Sequence, residues 1–372
     1  MKRRAIQIVG RFESDLSIPS VVREIARAAV RSNLFTTTHL YSTDHIGVFT
    51  ERCKEGLYRR LPRNVNIELS NDTSAIGTAF GHPTNFHSWL ADYAIKVGGI
   101  LTEQDFVPPD MVRSLNSLTA LWAPSAYVAG VYRHQGVTKD VKVFPHGIDP
   151  AFAVLDGVDR NDQFTFLSVS GIYQQRKGVF ELAHAFGTAK TGDAKLILIT
   201  ALTDELMEIV RSSPKRERIQ VYLPERPLGP SAMAHLLNKV HVYVAASKAE
   251  GFGLIPCEAR ACGTPTALTH ATGHREHFRP GVDVEIPTTG FEWVPSEDAD
   301  RRVQYKGRVP SVPIDGVITA LENSYDNWSA LHGKLKASIA ERPERTWAEA
   351  LQPLMRWMNE IKPQTGWSWL WS

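Results

Sequence analysis

The stretch Glu250-Gly251-Phe252-Gly253-Leu254-Ile255-Pro256-Cys257-Glu258 runs on into Ala259-Arg260-Ala261-Cys262-Gly263-Thr264-Pro265 and is flanked by two apolar runs, residues 240–246 and 266–268. That order reads as strand, loop, helix and the turn into a further strand, which is half of a βαβ unit and predicts a parallel sheet. Gly251 and Gly253 let the backbone approach a ligand closely. A helix starting near Ile255 offers unpaired N–H groups and a partial positive charge, a combination suited to phosphate. A carboxylate repels phosphate, so Glu250 on the loop and Glu258 one turn into the helix are better placed to accept hydrogen bonds from sugar or ribose hydroxyls flanking a diphosphate. A plain strand-to-helix turn carrying solvated glutamates satisfies the same spacing.

This segment resembles the E-x7-E signature of retaining, GT-B-fold glycosyltransferases of glycosyltransferase family 4. Three earlier segments resemble that family in the same order. They are Trp122-Ala123-Pro124-Ser125 with Gln135-Gly136-Val137, then Phe144-Pro145-His146-Gly147-Ile148-Asp149, then Ser170-Gly171-Ile172-Tyr173-Gln174-Gln175-Arg176-Lys177-Gly178 with Leu182-Ala183-His184-Ala185-Phe186. The resemblance implies an α/β chain of GT-B fold, with two Rossmann-like doubly wound domains facing a central cleft. Residues 1–150 would bind the acceptor and residues 151–345 a nucleotide diphosphate sugar, with a C-terminal helix in 346–372 packing back on the first domain.

The same resemblance implies a catalytic Glu250 against the sugar, Glu258 on the ribose, and a diphosphate held by the Gly251, Phe252, Gly253 and Leu254 backbone with Gly171 and Lys177. The family usually has an arginine directly after the glycine of the earlier loop. Here that position is Ile172, and Arg176 beside Lys177 is the substitute. Gly273 and His274, in Thr269-His270-Ala271-Thr272-Gly273-His274-Arg275-Glu276, fall where the donor sugar is expected. No cofactor and no metal are implied, and a uridine diphosphate sugar is the expected donor. The acceptor stays open among a saccharide, a small molecule and a modified DNA base. A GT-B phosphorylase or epimerase and an inactive sugar-nucleotide-binding module remain as alternatives.

Length and composition agree with two domains. The chain has 372 residues, 43% hydrophobic and 22% charged, with a net charge of +2, an ordinary globular balance that argues against a strongly basic nucleic-acid binder. Clusters such as Arg59-Arg60-Leu61-Pro62-Arg63 keep that question open. Three cysteines, Cys53, Cys257 and Cys262, lack metal-ligand spacing and read as reduced thiols of a cytoplasmic protein. No apolar run approaches the about 18 residues a membrane span needs.

The first apolar run, residues 5–9, ends at Gly10 and leads through a loop containing Ser17 to an amphipathic helix over 20–31; by resemblance Gly10 and Ser17 are acceptor-side candidates. In Gly81-His82-Pro83-Thr84-Asn85-Phe86-His87-Ser88-Trp89, His82 and His87 are candidates to line a sugar pocket and stand with Glu250 as the catalytic candidates. Glu103, in a stretch similar to a "T-x-E" of some family members, is a candidate for acceptor binding. Ser125 is placed to cap a helix to Gln135, and Ser231 one to Asn238. Breakers at Pro145, Gly147, Asp149 and Pro150 mark the domain boundary, followed by a charged linker over 156–162. Residues 281–313 carry no clear pattern. Leu351, Leu354, Met355 and Met358 give the last helix an apolar stripe, and three tryptophans in the tail, Trp367, Trp369 and Trp371, are expected to pack on the first domain.

Overall fold

The computed structural model describes residues 4–10, 12, 17–42, 65–66, 74–81, 86–295 and 306–363. They divide into two units, one drawn from 1–102, 107–147 and 347–372, the other from 103–106 and 148–346.

In the first unit, β1 (Ile6–Gly10), β2 (Thr38–Ser42), β3 (Val65–Asn66), β4 (Ile76–Gly81), β5 (Ile95–Ile100), β6 (Ala120–Ala123) and β7 (Val141–Val143) form one sheet. Its order is β3-β2-β1-β4-β5-β6-β7 and every neighbouring pair is parallel. β1 and β4 are buried along their whole length, so apart from the buried Gln7 they carry apolar or small residues rather than an alternating pattern. The helices are α1 (Ser17–Ser32), α2 (Phe86–Trp89), α3 (Pro109–Asn116) and α4 (Ala126–His134). Ser125 caps α4 by accepting from the Val128 amide at 3.3 Å. A C-terminal helix, Trp347–Glu360, packs on α1 and buries Leu351, Leu354, Met355 and Met358. Its Trp357 ring lies 5.4 Å from Phe144 and its Trp347 ring 5.2 Å from His146. The tryptophans of the tail lie outside the described residues, as do Cys53, His82 and the basic cluster at 59–63.

The second unit holds β8 (Thr165–Gly171), β9 (Lys195–Thr200), β10 (Ile219–Tyr222), β11 (Val242–Ala245), β12 (Thr266–Thr269) and β13 (Val284–Ile286) in the order β10-β9-β8-β11-β12-β13, again all parallel. Successive side chains of a strand point to opposite faces. Phe166, Val242 and Val244 therefore enter a core with α5 (Val179–Thr188), α6 (Asp204–Ser212) and a later helix, Ile314–Asp326. Leu167, Tyr243 and Ala245 enter a second core with α7 (Pro230–Lys239) and α8 (Leu254–Ala261) on the other face. Strand order reverses between β8 and β11, and in such sheets ligands gather beyond the carboxyl ends of the strands at that switch point. The loops leaving β8 and β11 are those carrying Arg176 and Lys177, and Glu250.

Local expectations change at the start of α7 and at the charged stretch. α7 starts at Pro230 with Gly229 before it, and Ser231 makes no cap: the fixed φ and missing N–H of proline suit the first helical position. Lys177 precedes a left-handed Gly178, and the helix begins at Val179. The charged stretch at 156–162 is fastened to the second unit, with Arg160 donating to the carbonyls of Val240 and Gly263 and the Asn161 amide to that of Lys239. Residues 281–313 supply β13 and an antiparallel hairpin, β14 (Thr289–Pro295) with β15 (Lys306–Ser311).

Candidate functional site

Three loops converge at the carboxyl end of the second sheet. The turn after β8 is tied to the loop after β11 by the Lys248 amide donating to the Arg176 carbonyl at 2.8 Å. That second loop is tied to the turn after β12 by the Glu250 amide donating to Thr272 Oγ1 at 3.0 Å and the Gly273 amide to the Glu250 carbonyl at 2.8 Å. Two glycines permit this closeness. A Cβ on Gly178, at φ +63°, would lie 2.0 Å from the Ala246 carbonyl oxygen, and one on Gly273 would lie 2.5 Å from that of Glu250.

Glu250 is the centre of the cluster. Its side chain is 9% exposed, and its two oxygens meet two adjacent cations: Lys177 Nζ pairs with Oε1 and Arg176 Nη1 lies 3.5 Å from Oε2. Burial opposes its charge, yet Lys177, Arg176 and His274 together bring its pKa down to about 2. The Arg176 guanidinium also donates to the Ala249 carbonyl at 2.8 Å and lies over the Tyr173 ring at 5.1 Å. Lys177 is the more open of the two cations, 20% exposed against 7%.

Beyond Glu250, Gly253 adopts a left-handed φ of +85° and stands as the residue before α8. No side chain caps that helix, so the first-turn amides keep their N–H groups, except at Pro256, which has none. Phe252 is buried against His277, whose Nε2 donates to the Phe252 carbonyl at 2.9 Å. His274 Nδ1 donates to the Thr269 carbonyl at 3.2 Å. Burial lowers its pKa to about 4, so the ring is neutral with a lone pair on Nε2 beside Gly253, suited to accept from a hydroxyl. Glu258 lies later in α8, partly exposed, and its carboxyl makes no hydrogen bond or ion pair to another described residue. Desolvation and the nearby charge of Asp149 raise its pKa to about 8.

The structure thus brings together Arg176, Lys177, Glu250, Gly251, Phe252, Gly253, Leu254, Gly273 and His274, with Gly171 at the end of β8 at φ +59° and open space around its Cα. Ile172, in the position where the resemblance leads one to look for arginine, is 69% exposed. Gly10 ends β1, Ser17 opens α1, and His87 is exposed on α2 with Nδ1 3.2 Å from Ser117 Oγ; all three belong to the first unit. Glu103 falls in the short segment that clusters with the second unit.

Sequence reasoning passed over Lys248, whose side chain is 4% exposed between Glu181 and Glu292 at 2.6 Å each. Burial disfavours its charge, and the two carboxylates outweigh that and raise its pKa. The signal was a lysine in the loop just past an apolar strand that ends at Ala245. Glu292 belongs to β14, so this pair seats the hairpin beside the Glu250 loop, helped by Gln104 Nε2 donating to the Val294 carbonyl at 3.2 Å. Among the described residues no group of three or more His, Cys, Asp or Glu could hold a metal ion, and no helix is long and apolar enough to cross a membrane.

Residues 163–304 match the family model for glycosyl transferases group 1. The match covers the second sheet and every loop of the cluster. No curated protein matches the sequence. Among solved structures, Anabaena Alr3699/HepE in complex with UDP and glucose is similar at a TM-score of 0.67 and 12% identity, over 96% of this chain and 100% of that one. A sucrose-phosphate synthase from Thermosynechococcus elongatus is similar at 0.66 and 12%, over 95% and 98%. An alpha,alpha-trehalose-phosphate synthase (UDP-forming) from Burkholderia xenovorans, in complex with glucose-6-phosphate, is similar at 0.64 and 12%, over 95% and 99%. At these identities the likeness is one of fold. The chain has the GT-B architecture of two Rossmann-like, parallel-sheet units.

Proposed function

We propose that this protein is a glycosyltransferase that moves a sugar from a nucleotide diphosphate sugar to an acceptor hydroxyl with retention of anomeric configuration. The observation that carries this reading is the cluster at the β8–β11 switch point: a buried carboxylate, two cations and an open helix N-terminus after a left-handed glycine, inside the segment that matches glycosyl transferases group 1.

In this reading the diphosphate lies on the Gly251 to Leu254 backbone and on Lys177. There the α8 dipole and the ammonium stabilise the charge that grows as the sugar–phosphate bond breaks. Glu250, held ionised, faces the positive character that develops at the anomeric carbon. The lone pair of His274 and the carboxyl of Glu258 take sugar and ribose hydroxyls. The first unit binds the acceptor, with Gly10 and Ser17 as its candidates beside Glu103 and with His87 as a sugar-pocket candidate, and attack from the face the diphosphate leaves gives retention without a covalent intermediate. Neutralisation by fixed cations makes a metal unnecessary in this scheme. UDP-sugars are the donors to try first, because Alr3699/HepE is a fold neighbour in complex with UDP and glucose.

A panel of nucleotide sugars tests this, scored for a rise in melting temperature and for release of nucleoside diphosphate, with the product anomer read by NMR. One donor is expected to do both and to give the retained anomer; no stabilisation by any donor overturns the reading. The exposed Ile172 favours one rival, a sugar-nucleotide-binding module without turnover, for which a donor raises the melting temperature but no diphosphate appears with any acceptor.

A further inference from the structure

Two cations, Arg176 and Lys177, meet the one carboxylate of Glu250, and Lys248 close by is held by Glu181 and Glu292. The two cations are also unlike each other. Lys177 is a compact ammonium on the more exposed side, free to rotate toward an arriving anion. The Arg176 guanidinium is fixed on three sides, by the Ala249 carbonyl at 2.8 Å, by Glu250 and by the Tyr173 ring.

An anionic ligand that takes Lys177 would strip Glu250 of its nearer partner, and a buried carboxylate left alone is costly. We infer that Arg176 is a positioning residue: it keeps Glu250 seated and charged while Lys177 changes partner from that carboxylate to the diphosphate of the donor. This rests on the donor reading above. It gives Arg176 a role through Glu250 and not on the phosphates. The groups facing Glu250 are Lys177 and Arg176 from the β8 turn, His274 and the Thr272 hydroxyl from the β12 turn, and the Tyr243 phenol from β11.

The test compares R176K, R176Q and K177M by calorimetry with UDP as the probe, and by turnover of the best donor against pH. K177M is expected to lose UDP affinity by about tenfold or more, the loss of one charge-assisted hydrogen bond, whereas R176Q and R176K stay within about twofold of the parent. R176Q is expected to lower kcat by about tenfold or more with KM for the donor little changed, and to move the acid limb of the kcat profile to higher pH, with R176K restoring much of both. If R176Q does not fold, R176K carries the same two readings, with a smaller shift of the acid limb expected. The inference is overturned if UDP affinity falls in the Arg176 variants as it does in K177M, or if their pH profile is that of the parent. Should UDP fail to bind the parent, the nucleoside diphosphate of the donor that stabilises it best replaces UDP as the probe; should none bind, the donor reading fails instead. The inference is then judged on the unliganded protein by carboxyl NMR: R176Q must raise the pH at which Glu250 titrates, and an unchanged titration rejects it.

Discussion

Glu250 and Glu258 bracket one glycine loop, but their surroundings drive them to opposite protonation states. Glu250, between Lys177 and Arg176, stays ionised down to about pH 2, while Glu258, desolvated near Asp149 and without a cation, holds its proton up to about pH 8. The first consequence concerns Glu250→Ala. From the sequence alone that change looks harmless to the fold, but it takes the carboxylate away from two cations, one of them an Arg176 side chain only 7% exposed, so a loss of about 3 kcal/mol in urea unfolding at pH 7 is expected alongside the loss of transfer. Glu250→Gln, which keeps the shape, separates the two effects only partly, because the cations still lack their charge partner. The second consequence concerns Glu258. A carboxyl whose pKa is raised on folding contributes stability that is complete below the ordinary carboxylate range and is lost as pH rises through about 8. Melting curves from pH 6 to pH 9 should therefore show the parent losing more stability than E258Q; parallel curves would show that the proton is not held.

At the scale of elements, the turn after β8 is a place where backbone conformation and space can be tested apart. Gly171 and Gly178 have almost the same left-handed φ, +59° and +63°, but a Cβ on Gly171 meets nothing within 4 Å while one on Gly178 meets the Ala246 carbonyl at 2.0 Å. Gly171→Ala is expected to cost about 1 kcal/mol, the conformational penalty alone, and Gly178→Ala distinctly more because the β8 and β11 loops must part. Urea unfolding of both variants checks this; equal losses would mean that the contact between the loops is unimportant. The glycine loop leading into α8 and the alternation of strand, loop and helix were legible because glycine, apolar runs and helix starts are local signals. The pairing of Lys177 with Glu250 was not, since 73 residues separate them and only the parallel neighbours β8 and β11 bring them together. The hairpin was illegible for a different reason. Phe291 and Trp293 point outward, 68% and 65% exposed, while Glu292 points inward to Lys248, which inverts the usual apolar-in pattern of a strand.

Over the whole molecule, both sheets follow from the same rule, that a strand covered by helices on both faces reads as a largely apolar run, while the division into two units was readable from chain length and from the resemblance to GT-B glycosyltransferases. What sequence could not supply was the second unit's claim on residues 103–106 and on the charged stretch at 156–162, which tertiary hydrogen bonds decide. Several histidines share one consequence of burial. His146 and His274 are almost fully enclosed, with pKa values lowered to about 3 and about 4, and His241 and His332 are lowered to about 4. Each is neutral when folded and binds a proton more readily when unfolded, so stability is complete above about pH 6.5 and falls toward pH 4, by up to about 1.4 kcal/mol per pH unit for each enclosed ring. Urea unfolding at pH 7.5 and pH 5 should show that loss, and a flat response would mean the rings protonate in place. Finally, Cys257 and Cys262 are both free and buried on and just after α8, and desolvation pushes both thiols up, Cys262 to about 12. Neither offers a thiolate to an alkylating reagent while α8 stays closed. The rate at which mass spectrometry finds these two sulfurs modified is therefore a clock for how often the helix behind the glycine loop lifts away from its sheet, and a ligand seated on that loop should slow it.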